Sequence, residues 1–169
     1  MVSKVVFNLR SRGCVIGGFM TKERRLKNER VGFDIEDLLD GGRGELASLT
    51  GRLGPRVGRY RVNLAGLSDV GAYALNEAVS RAELVVIDEV GPMELTSPEF
   101  RRALSSCIAT GRPIFAVVHG QMNDPLIEEL KRKSGNEVIS VGLENRDSLP
   151  SDLTRRIHTA LAPVADVAS

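Results

Sequence analysis

The sequence predicts an α/β domain, a mainly parallel sheet flanked by helices, on three observations. From Ala65 onward helical and strand periodicities alternate as helix, strand, helix, strand, helix, strand, helix, the order that βα crossovers impose. The strand segments Leu84-Val85-Val86-Ile87 and Ile114-Phe115-Ala116-Val117-Val118 are wholly apolar, as strands buried on both faces are. The first of them ends in two carboxylates, Asp88 and Glu89, and Gly91 and Pro92 stop it there. In open α/β sheets ligands bind outside the carboxyl ends of the strands, so these acids stand where chemistry is usually done.

Taken in order, residues 1 to 12 place Val2, Val5, Val6 and Leu9 on one face of an amphipathic helix, with Gly13 as its cap. A short apolar strand follows over Cys14–Phe19. Residues 21 to 30 carry Lys22, Arg24, Arg25, Lys27 and Arg30 and read as a solvated loop, with phosphate contact as the alternative. Val31, Phe33 and Ile35 then alternate with polar residues, and Asp40 to Gly44 form a turn, so residues 31–49 read as an antiparallel hairpin. Tyr60, Val62 and Leu64 form another short strand, and Ser68 or Asp69 caps a helix to Arg81. Helices start at Ser97-Pro98 and Asp124-Pro125, each with Pro at its first position. Val138-Ile139-Ser140-Val141 reads as a third apolar strand and residues 151–161 as the last helix. Residues 1–162 form one domain and 163–169 a frayed tail.

Composition narrows the function classes. At 169 residues, 42% hydrophobic and 27% charged, the chain is an ordinary globular domain, and its net charge of +1 gives no overall pull toward nucleic acid or membrane. Lys131-Arg132-Lys133 sit where a helix dipole favours cations, so nucleic acid is not an expected partner. Cys14 and Cys107 lie in apolar segments and read as reduced core residues, and with His119 and His158 they make no metal-ligand cluster. No apolar run approaches the roughly 18 residues of a membrane span, so a cytoplasmic protein is expected.

An apolar strand ending in Asp-Glu is the Walker B arrangement. Its Asp holds Mg²⁺ against the phosphates of a nucleotide, and the neighbouring carboxylate orients or deprotonates a water. A buried strand that simply ends in a solvated acidic turn is the alternative.

Five segments together carry a resemblance. Residues 16–23 (Ile-Gly-Gly-Phe-Met-Thr-Lys-Glu), 31–35 (Val-Gly-Phe-Asp-Ile), 57–63 (Val-Gly-Arg-Tyr-Arg-Val-Asn), 87–95 (Ile-Asp-Glu-Val-Gly-Pro-Met-Glu-Leu) and 144–147 (Glu-Asn-Arg-Asp) occur in the order of one family. The chain resembles the small nucleoside-triphosphatases of the P-loop superfamily, known from thermophiles and, in vertebrates, as cancer-related nucleoside-triphosphatase. The resemblance implies a P-loop NTPase-like (RecA-like) fold with a small hairpin insertion, and slow Mg²⁺-dependent hydrolysis of ATP, GTP and other nucleoside triphosphates. The sequence departs from the family in lacking the Walker A loop, Gly-x-x-x-x-Gly-Lys-[Ser/Thr], and the strand before it; residues 1–12 resemble the helix that follows that loop. Since that strand is central in the superfamily, the expectation is a chain that folds poorly or cannot hydrolyse nucleotides.

The resemblance places the nucleotide along Leu84, Val85, Val86, Ile87, Asp88, Glu89, Val90 and Gly91, with Asp88 positioning Mg²⁺ through a water and Glu89 orienting the attacking water. His119 is a candidate γ-phosphate sensor or a surface histidine. Arg146 packs against the base or ribose, or pairs with Glu144 or Asp147. Glu94 supports Glu89 or caps the turn. No arginine finger is identifiable, and a second subunit of a homo-oligomer is the candidate source. A nucleotide kinase and a non-catalytic nucleotide- or RNA-binding module are the rival readings.

Overall fold

In the computed structural model, which describes residues 1–133 and 135–162, seven strands form one sheet in the order β4-β5-β3-β2-β1-β6-β7. β1 (Ile16–Leu26), β6 (Leu84–Val90) and β7 (Ile114–Val118) run parallel, while β2 (Glu29–Asp37), β3 (Arg43–Ser48), β4 (Arg56–Val57) and β5 (Tyr60–Val62) extend the sheet antiparallel. β1 joins the two parts: Ile16 to Met20 pair with β6, and Phe19 to Leu26 with β2.

The apolar run of β6 follows from burial on both faces, whereas β7, expected to be buried likewise, is the edge strand and only half-buried along its length. Leu84 and Val86 point into a core shared with Val2, Val5, Val6 and Leu9 of α1 (Val2–Arg10) and Leu149 and Leu153 of α6 (Leu149–Leu161). Val85 and Ile87 point the other way, against Leu75 and Ala78 of α3 (Tyr73–Arg81) and Phe100 and Leu104 of α4 (Pro98–Ala109). No position on β6 before Asp88 meets water, so none is polar. Two glycines let β1 sit close to its neighbours. At Gly17 a Cβ would stand 2.7 Å from the Ala78 Cβ, and at Gly18, with φ of +90°, 2.0 Å from the Val86 carbonyl oxygen. The expected caps of α4 and of α5 (Pro125–Arg132) are in place, Ser97 Oγ accepting from the Phe100 N–H and Asp124 Oδ1 from the Leu126 N–H.

The helix-flanked α/β architecture is the expected one, but four of the six strand pairings are antiparallel, so only the centre of the sheet is parallel. The main cause is residues 21–30, which form a β-hairpin rather than a solvated loop. Lys27 and Asn28, at φ of 48° and 67°, make its two-residue turn. This hairpin reaches past the helices and is wet on both faces near its tip, so its strands lack the apolar alternation that marks a strand. Its cations meet carboxylates rather than phosphates: Lys22 pairs with Glu36, Arg24 with Asp34 and Glu45, and Arg25 and Arg30 with Glu23. The hairpin expected over residues 31–49 is present as β2 and β3.

Two further expectations change. Asn63, not Ser68 or Asp69, caps the helical stretch: its side-chain oxygen accepts from the Gly66 N–H at 3.1 Å. The helix therefore begins as α2 (Leu64–Gly66) and passes through a wide turn over Leu67–Ala72 into α3. Leu64, expected to end a strand, instead starts this helix. Residues 138–141 form no strand. A strand exists only where a neighbour supplies its hydrogen-bond ladder, and Val138 and Val141 instead stand exposed, while Ile139 packs on the α1 and α6 core. The tail expected at 163–169 lies outside the described residues.

Candidate active site

β6 enters the sheet between β1 and β7 and delivers Asp88 and Glu89 at its carboxyl end, beside Met20 of β1 and Val117 of β7. α1 runs back along the same sheet, so its first residues lie near these acids, and the α-amino group of Met1 favours the ionised Asp88. Burial, and secondly the charge of Glu89, outweigh that and push the Asp88 carboxyl up to about 6.

A third acid completes the group. Glu94 is only 3% exposed, in the single turn Glu94–Thr96, and its Oε2 accepts the Gly91 N–H at 3.1 Å. Burial above all pushes its carboxyl up to about 7, with the charges of Glu89 and Asp88 adding to the rise. A Cβ on Gly91 would stand 2.8 Å from Glu89 Oε1 and 3.1 Å from Glu94 Oε2. The two carboxylates therefore lie within about 6 Å of each other beside Gly91, and a side chain there would displace at least the Glu89 carboxylate. Such a group can attract a cation, hold a polarised water, or share a proton. Among the described residues no group of three or more His, Cys, Asp or Glu is placed to hold a metal ion.

The other sequence candidates separate. His119 is exposed just past the end of β7, and its backbone N–H donates to the Val90 carbonyl at 3.1 Å, which sets its main chain beside the end of β6. Arg146 lies in the turn before α6, its backbone N–H on the Gly142 carbonyl and its guanidinium 3.8 Å from the Asp147 carboxylate. No hydrogen bond or ion pair joins it to Asp88 or Glu89 among the described residues. Leu84, Val85, Val86, Ile87 and Val90 are buried in the two cores and serve by fixing where the acids stand. Of the two roles expected of Glu94, the turn cap is present on the Gly91 amide, and no hydrogen bond joins Glu94 to Glu89 among the described residues. The nearness of Met1 to Asp88 had no sequence signal, because it depends on how α1 lies across the sheet.

Fold and site together define an α/β protein of the P-loop NTPase-like kind. A family model described as NTPase matches residues 1–154. The nucleoside-triphosphatase THEP1 of Thermofilum pendens is 40% identical over 162 residues, covering 95% of this chain and 89% of that protein. That of Methanosarcina acetivorans is 42% identical, with 85% and 80% covered. Among solved structures, a human cancer-related nucleoside triphosphatase superposes with a TM-score of 0.78 at 30% identity, covering 94% of this chain and 90% of that one. THEP1 from Aquifex aeolicus superposes at 0.76 and 28%, with 88% of each chain covered. The chain belongs to the THEP1-type nucleoside-triphosphatase family.

Proposed function

We propose that this chain is a cytoplasmic, Mg²⁺-dependent nucleoside-triphosphate phosphohydrolase that converts ATP, GTP and other nucleoside triphosphates to the diphosphate and phosphate. The observation that carries the reading is the acid pair at the carboxyl end of a strand buried on both faces, next to the start of α1. The donor set suits Mg²⁺, which keeps several waters and takes one or two carboxylates plus substrate phosphates rather than a closed protein cage. Asp88, whose environment already favours an added positive charge, would hold it through a water, and the ion would supply neutralisation of phosphate charge.

Glu89 orients a water for in-line attack on the γ-phosphorus. The new P–O bond forms as the bond to the β–γ bridging oxygen breaks, and the diphosphate leaves with that electron pair. Glu94, fixed on the Gly91 amide, keeps the turn that carries Glu89 closed. In this reading His119, next to the strand end through its backbone bond to Val90, is the residue assigned to the γ-phosphate, and Arg146 the one assigned to the base or ribose.

The test is Glu89→Gln. Nucleotide binding, read by calorimetry with Mg²⁺ present, should persist while phosphate release falls to background. Turnover retained in the variant removes Glu89 from its role, and a wild-type chain that binds no nucleotide overturns the reading altogether.

A further inference from the structure

The opposite end of the sheet carries a different device. From Leu46 to Ser68 the chain holds Arg52, Arg56, Arg59 and Arg61 and not one Asp or Glu. Folding concentrates these charges. Arg56 of β4 is the direct cross-strand partner of Arg61 of β5, an opposition of like charges that destabilises a ladder unless an anion lies over it. Among the described residues none of the four arginines makes an ion pair, whereas Lys22, Arg24, Arg25, Arg30 and Arg43 of the neighbouring strands all do.

The guanidinium groups are nonetheless held. Arg61 Nη1 donates to the Gly54 carbonyl at 2.9 Å, and Arg59 Nη2 donates to the Arg30 carbonyl at 2.8 Å while its guanidinium lies 5.5 Å from the Tyr60 ring centre. Partners that hold an arginine without neutralising it leave remaining fork donors pre-set for an anion, so less side-chain entropy is lost on binding.

We infer that the β4–β5 edge is a docking surface for an acidic, extended peptide segment of a partner protein, which adds as a strand beside β4 and sets carboxylates on Arg56 and Arg61. Three features favour peptide over nucleic acid. β4 has no strand on its outer side among the described residues, so its backbone is open to strand addition. Leu53, 86% exposed just before β4, offers an apolar contact. Tyr60, the ring at the centre of the cluster, is buried and gives no platform on which a base could stack.

The inference does not depend on the proposed hydrolysis, and its test uses the whole chain without nucleotide. Fluorescein-labelled peptides of alternating Glu and Val, and of alternating Lys and Val, would be titrated by anisotropy beside labelled oligouridylate. The Glu peptide should bind, about tenfold more weakly in roughly 300 mM salt than in roughly 50 mM. Amide shift changes should centre on residues 52–62, and Arg56→Glu with Arg61→Glu should weaken binding about tenfold or more while Arg12→Glu on the far side leaves it unchanged. If the double variant unfolds, Arg52→Ala with Arg59→Ala and the wild-type shift map decide instead. Failure of the Glu peptide to bind, equal binding of the Lys peptide, shifts centred elsewhere, or affinity untouched by the arginine substitutions would each overturn the inference. Tighter binding of oligouridylate would overturn the choice of peptide and make this a polyphosphate surface.

Discussion

The parallel centre of the sheet and its antiparallel arm obey opposite rules. In the centre, β6 sends side chains into two helix-covered cores and leaves no position to water until Asp88. In the arm, Ile35, Leu46 and Val62 meet the helical layer on one face, and the other is a wet lattice of ion pairs over Lys22, Arg24, Glu36, Arg43 and Glu45. Both regions contain an edge-on aromatic pair, Phe19 with Phe100 at 5.6 Å and Phe33 with Tyr60 at 5.2 Å. The contrast teaches that rigidity here comes from burial on two faces. The centre holds acids in fixed, poorly solvated places, and the arm can carry almost any pattern of surface charge.

Matched substitutions measure that contrast. Phe100→Ala in the centre should lower stability by about 3–5 kcal/mol, while Phe33→Ala, half-buried in the arm, should lower it by roughly 1–2, read from urea midpoints at constant m. Equal losses would erase the distinction.

Next in size is the pH response of the buried acids. Folded Glu94 keeps its proton up to about pH 7, and the unfolded carboxyl only to 4.5. Its contribution to stability is thus fully present below 4.5 and disappears as pH rises to about 7, with Asp88 acting in the same direction between 3.8 and about 6. Glu94→Gln keeps an oxygen for the Gly91 N–H and cannot ionise. It should match the wild type at pH 4.5 and exceed it by about 2–3 kcal/mol at pH 8, measured by urea denaturation. A constant difference between the two proteins would show that Glu94 is more solvated than its burial implies.

The smallest effect belongs to the arm. Arg24→Ala removes a part-exposed guanidinium from Asp34 and Glu45 and should lower stability by only about 0.5–1 kcal/mol, less still in high salt. A salt-independent loss above that range would mean that the arm's ion pairs act as a core.

What could be read before folding follows the same division. Double burial writes itself as an unbroken apolar run, which is why β6 and the acids at its carboxyl end were legible together; β7 has the same kind of run although, as the last strand of the sheet, it is only half-buried. Proline at the first helical position, after Ser97 and Asp124, made those helix starts legible too. The tip of the first hairpin was not, because both its faces are wet and its side chains alternate charge with charge. Residues 138–141 show the converse error: Val-Ile-Ser-Val has the composition of a strand, but composition supplies no ladder.

By itself the sequence determined the helix–strand alternation, the buried strand that ends in Asp88 and Glu89, and the family resemblance, because each is a local pattern or an ordered set of local patterns. Only the tertiary structure decided that His119, from the end of β7, and the Met1 amine, from the start of α1, come to the strand end that carries Asp88 and Glu89. Those are contacts between separately folded segments, and they exist only once packing has set the register of the strands and laid α1 across the sheet.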